Sequence, residues 1–297
     1  MLKRQNEEGN ILLLKAMRQT YNQAKKYYGV RMIIGIFIPI VSIIFSLLNQ
    51  YGVIEDFSSL FSVLSLIWLL IFYYLQQMEI NYIEKGAKIQ EEFDTNVFNL
   101  SWNKALVGSR ISPEDILESV KGYKEDESSL FNWYGGMNSN HYLINVLLAQ
   151  RSNLMWAVSL KENFSNFILV VSMLYLIGTM VLACIINMSL QSYLLVFLLP
   201  SFSVLMYTIS TWWELSKQSK KIYELGEEIR IDCKKFSANE IKMDINLCRQ
   251  YQDAIYIYNR SSAALIPNKL YWMRREKDDE KMLEVNRRLS DESNLRD

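Results

Sequence analysis

The chain reads as an all-α membrane protein, with four transmembrane helices in two hairpins plus a composite cytosolic helical domain. Three observations lead there. Four long apolar runs, at about residues 32–48, 57–75, 167–186 and 193–213, contain no Asp, Glu, Lys, Arg or His. Each is about the length a helix needs to cross ~30 Å of hydrocarbon. The charged residues, 22% of the chain, are concentrated outside these runs, where apolar residues recur at helical rather than alternating spacing.

Taken in order, residues 5–28 form the first expected helix, with Ile11, Leu14, Met17 (or Arg18), Tyr21, Ala24 and Tyr28 recurring at helical spacing. The start, MLKRQNEEGN, has no apolar core, so the first run is the expected insertion signal. That run carries Pro39, and the fourth carries Pro200; each removes a backbone donor and favours a kink. Beyond the second run, Ile80, Ile83, Ala87, Ile89, Phe93, Val97 and Leu100 extend a helical pattern over 77–106. Ser112-Pro113-Glu114-Asp115 is a helix start, with a capping hydroxyl, a first-turn proline and acids at the positive end of the dipole. Residues 122–140 read as a loop that holds an apolar cluster, Phe131, Trp133 and Tyr134. A helix over 141–162 leads into the third run. After the fourth, helices are expected over 214–235 and 240–262, then a charged one from about 268 to 289 behind Pro267. The charged tail suits either a solvated face or a partner-binding helix. The expected segments are therefore 1–31 and 77–163 in water, 32–76 and 164–213 as hairpins, and 214–297 again in water.

Basic residues mark one side. Lys25, Lys26 and Arg31 precede the first run, Lys85 and Lys88 follow the second, Lys161 precedes the third, and Lys217, Lys220 and Lys221 follow the fourth. The turns at 49–56 and 187–192 hold no Lys or Arg. The excess of positive charge predicts both termini in the cytoplasm. Tyr73, Tyr74, Tyr193, Trp212 and Trp213 suit an interfacial aromatic belt.

Within the runs, Ser58, Ser62 and Ser65, and more loosely Ser201, Thr208 and Thr211, form hydroxyl stripes. Two readings stay open: a wet path lined by these groups in an oligomer, and close helix packing through small residues. Uncharged spans argue against proton-coupled transport and voltage sensing, which use intramembrane ionisable groups.

The net charge is zero, so no general attraction to DNA or RNA is expected. The single histidine, His141, lacks the cysteine or carboxylate company of a metal site. Cys184, Cys233 and Cys248 have neither metal nor disulfide spacing and are expected to be reduced. The phosphate-loop, dinucleotide, nucleophile-elbow and zinc-protease motifs are all missing. No catalytic residues, metal or cofactor are expected.

Several strings occur in a particular order: Arg4-Gln5-Asn6, Tyr21, Ala24-Lys25, Phe93-Asp94-Thr95, Trp102-Asn103, Asn132-Trp133-Tyr134 and Ala149-Gln150-Arg151-Ser152-Asn153. Trp156, Tyr251-Gln252-Asp253, Arg260, Pro267 and Leu270-Tyr271 follow. Together with two hairpins and long polar helices, this order resembles the SMODS-associating four-transmembrane effector family over nearly the whole chain. Gly135-Gly136 depart from the family pattern, which leads one to expect a proline there, and Ala157 stands where an acid often follows the tryptophan.

The resemblance implies a bacterial antiphage effector. A partner nucleotidyltransferase would make a cyclic oligonucleotide that serves as regulatory ligand, and the effector, as a homo-oligomer, would permeabilise the inner membrane. Such a ligand needs flat surfaces for its bases and cationic or amide donors for its phosphates. The candidates are Trp133, Tyr134, Gln150, Arg151, Trp156, Arg249, Gln252, Arg260, Tyr271 and Arg274. A membrane-anchored scaffold that recruits a cytosolic partner without forming a pore is the alternative.

Overall fold

A computed structural model of the chain describes residues 1–294 except 56, 239, 243 and 262; the side chains of residues 46, 50, 58, 59, 62, 65, 66, 271, 272 and 274 lie outside the description. Every regular element among the described residues is helical. A 3-10 turn (Arg4–Asn6) precedes α1 (Glu8–Gln50), α2 (Ser58–Phe98), α3 (Lys104–Val107) and α4 (Pro113–Val120). After a second 3-10 turn (Glu127–Leu130) come α5 (Tyr142–Ile185) and α6 (Leu190–Tyr193), which passes through a π-helical turn (Leu194–Leu198) into α7 (Leu199–Ser237). The chain closes with α8 (Ile245–Ile255), a π-helical extension (Tyr256–Arg260) and α9 (Asn268–Asn294).

Local chemistry sets several boundaries. Ser112 accepts from the Asp115 amide at 3.1 Å, with Pro113 in the first turn of α4, the start its sequence predicts. α2 stops at Phe98 rather than near residue 106. Asn99 takes a left-handed φ of 52°, and the Leu100 amide closes back on Thr95 O at 2.9 Å. The π-helical turn before Pro200 absorbs the missing proline donor by local widening, whereas Pro39 sits inside an uninterrupted α1.

The chain divides into two units. One comprises Met1–Ala24, Asn81–Glu162 and Lys217–Asp297, and the other Lys25–Ile80 and Asn163–Ser216. The four long helices α1, α2, α5 and α7 contribute residues to both.

The two-segment unit turns its apolar side chains outward: Ile33, Leu70, Leu174 and Ile177 are each more than 60% exposed. A protein in water does not leave such a surface uncovered. Among the described residues, three helices are long and apolar enough to cross a membrane, Glu8–Asn49, Tyr142–Ile185 and Leu190–Ser237. The run at 57–75, on α2, includes side chains outside the description.

Inside this unit, Arg31 is fully buried. Its Nη2 donates to Glu79 Oε2 at 2.7 Å, and its guanidinium lies 4.2 Å from the Tyr207 ring centroid and 4.6 Å from that of Phe72. The basic residue expected at the edge of the membrane is thus held in an aromatic cage with a carboxylate. Ser172 donates to Thr208 at 3.0 Å, Ser201 to Phe197 O at 2.6 Å, and Tyr175 meets the Ser201 hydroxyl. Thr211 is half-buried on the same helix. The side chains of Ser58, Ser62 and Ser65 lie outside the description.

The three-segment unit has a dense apolar core. Leu14, Ile89, Phe93, Leu147, Ile222 and Ile255 are fully buried, one or more from each of its segments. Each such side chain contributes about 1.5–3 kcal/mol on burial. The expected face of α1 is the buried one: Ile11, Leu14, Met17 and Ala24 all point into the interior. His141 stacks edge-on with Phe236 at 5.2 Å, and the three cysteines are free thiols, with Cys233 and Cys248 buried.

Candidate functional site

The apolar core of the three-segment unit surrounds a buried polar network. Helix α2 supplies two neighbouring carboxylates, Glu91 and Asp94, both fully shielded from solvent. Unpaired carboxylates at such depth would be very costly, and four other elements build a hydrogen-bond network around them, three of them with donors to the carboxylates themselves.

The first is the loop before α5. Tyr134 donates its hydroxyl to Asp94 Oδ1 at 2.5 Å and accepts from Asn153 Nδ2 of α5 at 2.7 Å. The N-terminus holds this loop in place. Gln5 Nε2 donates to Tyr134 O at 3.1 Å, and the Tyr134 amide donates to Gln5 Oε1 at 2.8 Å, so one side-chain amide satisfies a whole backbone unit. Asn6 grips Asn132 beside it, accepting from its backbone amide and donating to its side-chain Oδ1, each at 2.9 Å. Asn132 has a left-handed φ of 54°, a conformation Asn tolerates better than most residues.

The second and third are α5 and α8. Gln252 Nε2 donates to Glu91 Oε2 at 2.8 Å and Asp94 Oδ2 at 3.2 Å. Gln150 Nε2 donates to Gln252 Oε1 at 3.1 Å and Cys248 O at 2.8 Å. Arg249 bridges Glu91 and Asp253, with Nη2 2.7 Å from each, and its Nη1 reaches Ser101 O at 2.9 Å. Asn103, the cap of α3, holds the far oxygen of Asp253 at 3.0 Å.

The fourth is the π-helical turn. Its last residue, Arg260, is buried and donates from Nη2 to Asp94 Oδ2 at 3.1 Å. Single π turns recur at functional sites because they re-aim one side chain.

Two buried carboxylates thus meet one buried guanidinium, Arg260, and one at the edge of the network, Arg249. Burial pushes the Glu91 carboxyl up to about 7, against the pull of Arg249. Burial pulls on Arg260 too, but Asp94 and the neighbouring Tyr134 outweigh it and raise it above the ordinary guanidinium value. Lys161, buried and donating to Gln218 Oε1 at 2.9 Å, is lowered to about 7, by burial first and by the positive charge of Arg260 second. The network is also incompletely satisfied: Gln150 Oε1 and Arg260 Nε are buried with no hydrogen-bond partner among the described residues. Such a network is sensitive to small rearrangement, because an unmet polar group in low dielectric is costly.

Of the ten sequence candidates, Tyr134, Gln150, Gln252 and Arg260 lie within this network, and Arg249 joins it through Glu91. Trp133 is half-buried and edge-on to Phe93, 6.4 Å between centroids. Arg151 pairs instead with Glu227 of α7 at 3.4 Å, and Trp156 lies beside Asp279 of α9. The side chains of Tyr271 and Arg274 lie outside the description. Glu91, Lys161 and the hub carboxylate Asp94 were not candidates. Asp94 and Asn153 do stand in the strings that carry the family resemblance, and those strings converge here from positions up to 166 residues apart. Glu91 and Lys161 have no such signal. Among the described residues, no group of three or more His, Cys, Asp or Glu is placed to hold a metal ion.

Comparison with known proteins agrees with the resemblance. The model for the SMODS-associating 4TM effector domain matches residues 1–289. A Bacillus cereus (strain VD146) protein described as a probable CBASS effector molecule is 51% identical over 297 residues, covering 99% of this chain and 100% of that protein. No solved structure matches. With a family model covering almost its full length and a relative of the same size at half identity, the chain belongs to the SMODS-associating four-transmembrane effector family.

Proposed function

We propose that the protein is an antiphage effector of the inner membrane that senses a cyclic oligonucleotide through its three-segment unit and permeabilises the bilayer as an oligomer. The observation that carries this reading is the division of labour between the units. One presents large apolar side chains outward, as a lipid-facing bundle must. The other buries a charge-balanced but incompletely satisfied network drawn from every segment of its chain. A ligand shifts such an equilibrium only by binding one arrangement better than another. The partly exposed Trp133, Trp156 and Arg249 suit direct contact with bases and phosphates. The buried Tyr134, Gln150, Gln252 and Arg260 suit the response. Because four long helices contribute to both units, a change in one is carried along the chain itself. Both termini lie in the cytoplasm with the sensing unit, and the second span is the run at 57–75.

The test is to express the protein with and without a cyclic-oligonucleotide synthase from a CBASS operon and to follow membrane potential. Depolarisation only when both are active supports the reading. A polarised membrane under every active synthase refutes it.

A further inference from the structure

Helix α9 is held by polar contacts along one stripe. Asp278, Met282, Asn286, Ser290 and Ser293 recur at helical spacing and are all at least nine-tenths buried. They meet α5, where Ser159 Oγ donates to Asp278 and Asn286 Nδ2 reaches Ser152 Oγ, each at 3.4 Å, and Leu289 beside them packs on the apolar core; the rest of the seam is the segment 129–140. Arg275 Nη2 donates to Ser129 O at 2.8 Å, Asn286 Nδ2 to Gly135 O at 3.0 Å and Ser293 Oγ to Ser139 Oγ at 2.9 Å. The Asn138 amide donates to Ser290 Oγ at 3.2 Å, the Asn140 amide to Asn294 Oδ1 at 2.9 Å, and Asn294 Nδ2 returns to Asn138 O at 2.9 Å.

Contact this close depends on two missing side chains. A Cβ on Gly135 would lie 2.6 Å from Leu283 Cδ2. One on Gly136, which has a φ of +77°, would lie 2.6 Å from the Leu283 carbonyl. The seam also carries a built-in weakness, since Asn286 Oδ1 is buried there with no hydrogen-bond partner among the described residues. Water would satisfy that acceptor, and every donor of the seam, once the helix left.

We infer that α9 is a detachable clasp on the 132–140 loop, and that its docking and the Tyr134–Asp94 link form one cooperative element. Polar seams of this kind exchange protein partners for water at small net cost, unlike the apolar core around Leu14 and Phe93. The loop joins the clasp at residues 135–140 to the buried network at Tyr134. Opening the seam therefore removes one of the two polar supports of the loop that delivers the Tyr134 hydroxyl to Asp94, Gln5 and Asn6 being the other, and breaking that link loosens the clasp.

The test is native-state hydrogen exchange of the full-length protein in detergent. Residues 280–294 and 132–140 are expected to share one opening event, faster than that of residues 87–98. Ser290→Ala removes one seam bond and should speed exchange in both segments roughly fivefold. Tyr134→Phe, which acts from the network end, should speed exchange in α9 as well. The pair S139C/S293C places two thiols where two hydroxyls now touch; its oxidation should slow both segments at least about tenfold, reversibly with reductant and unlike either single-cysteine control. Exchange of α9 in the slow class of residues 87–98, or a Ser290→Ala effect confined to α9, overturns the inference. So does failure of the cysteine pair to bond under oxidant. A functional arm rests on the permeabilisation reading above: oxidised S139C/S293C in dye-filled liposomes should stay closed to a panel of cyclic di- and trinucleotides to which the reduced form opens. Release by the locked form overturns the clasp as a regulatory device. Silence from both forms refutes permeabilisation and leaves the clasp to be judged by exchange alone.

Discussion

Replacing Asp94 with alanine removes the acceptor that three buried donors share: the Tyr134 hydroxyl, Gln252 Nε2 and Arg260 Nη2. Gln252 keeps Glu91, but Arg260 loses its carboxylate while its Nε is already unpartnered. Breaking one side of a buried pair costs about 3–5 kcal/mol, because the surviving charge stays buried. Against a total stability of roughly 5–15 kcal/mol this is a large loss. For a unit of this size it lowers the melting temperature on the order of 10 °C. The assay is thermal unfolding of the purified protein in detergent, run as a cycle with Arg260→Met and the double variant. Removing both charges leaves the Tyr134 hydroxyl without its acceptor but no unpaired buried charge, so the double variant should be clearly more stable than Asp94→Ala alone. A shift below about 2 °C for Asp94→Ala, or a double variant that simply sums the two losses, would refute the view that Asp94 is the hub.

Other substitutions probe separate parts. Lys161→Met should flatten the pH dependence of stability: with the folded amine lowered to about 7, the unfolded chain binds the extra proton between about 7 and 10.5, so wild-type stability climbs with pH there, by at most ~1.4 kcal/mol per unit. Melting curves at pH 6.5 and 9 check this; equal slopes in both proteins contradict it. Glu91 acts in the opposite sense, since a carboxyl raised to about 7 makes stability fall as pH rises from about 4.5 to 7. Glu91→Gln should remove that fall, read from melting curves at about pH 4.5 and 7. Arg31→Gln leaves Glu79 without its ion-pair partner in the aromatic cage and should cost about 3–5 kcal/mol, read as lost protease resistance in membranes. Gln5→Ala strips both bonds from the Tyr134 backbone and should expose residues 132–140 to limited proteolysis, at a cost of about 2–4 kcal/mol.

The helices were legible because their signals are local. Apolar runs, the Ser112 cap and the face of α1 marked by Leu14 and Ala24 all lie within a turn or two of their effect. The end of α2 was missed because it depends on one residue, Asn99, adopting a left-handed φ that its neighbours do not announce. The network was half legible. Tyr134, Gln150, Gln252 and Arg260 drew attention as donors and stacking surfaces, but only the fold shows them turned toward Asp94 and Glu91. Arg31 appeared to be one more basic residue at a membrane edge, and its partner Glu79 lies 48 positions away. The docking of α9 was hidden for a different reason. Its buried stripe is Asp, Met, Asn and Ser rather than Leu and Ile, so hydrophobic periodicity is blind to it.

The claim that a cyclic oligonucleotide drives membrane permeabilisation is tested most directly with purified protein in dye-filled liposomes, titrated with individual cyclic di- and trinucleotides. Saturable dye release with one of them, and none with linear nucleotides, is the expected result. Silence toward every cyclic oligonucleotide, or leakage that does not depend on one, would contradict it.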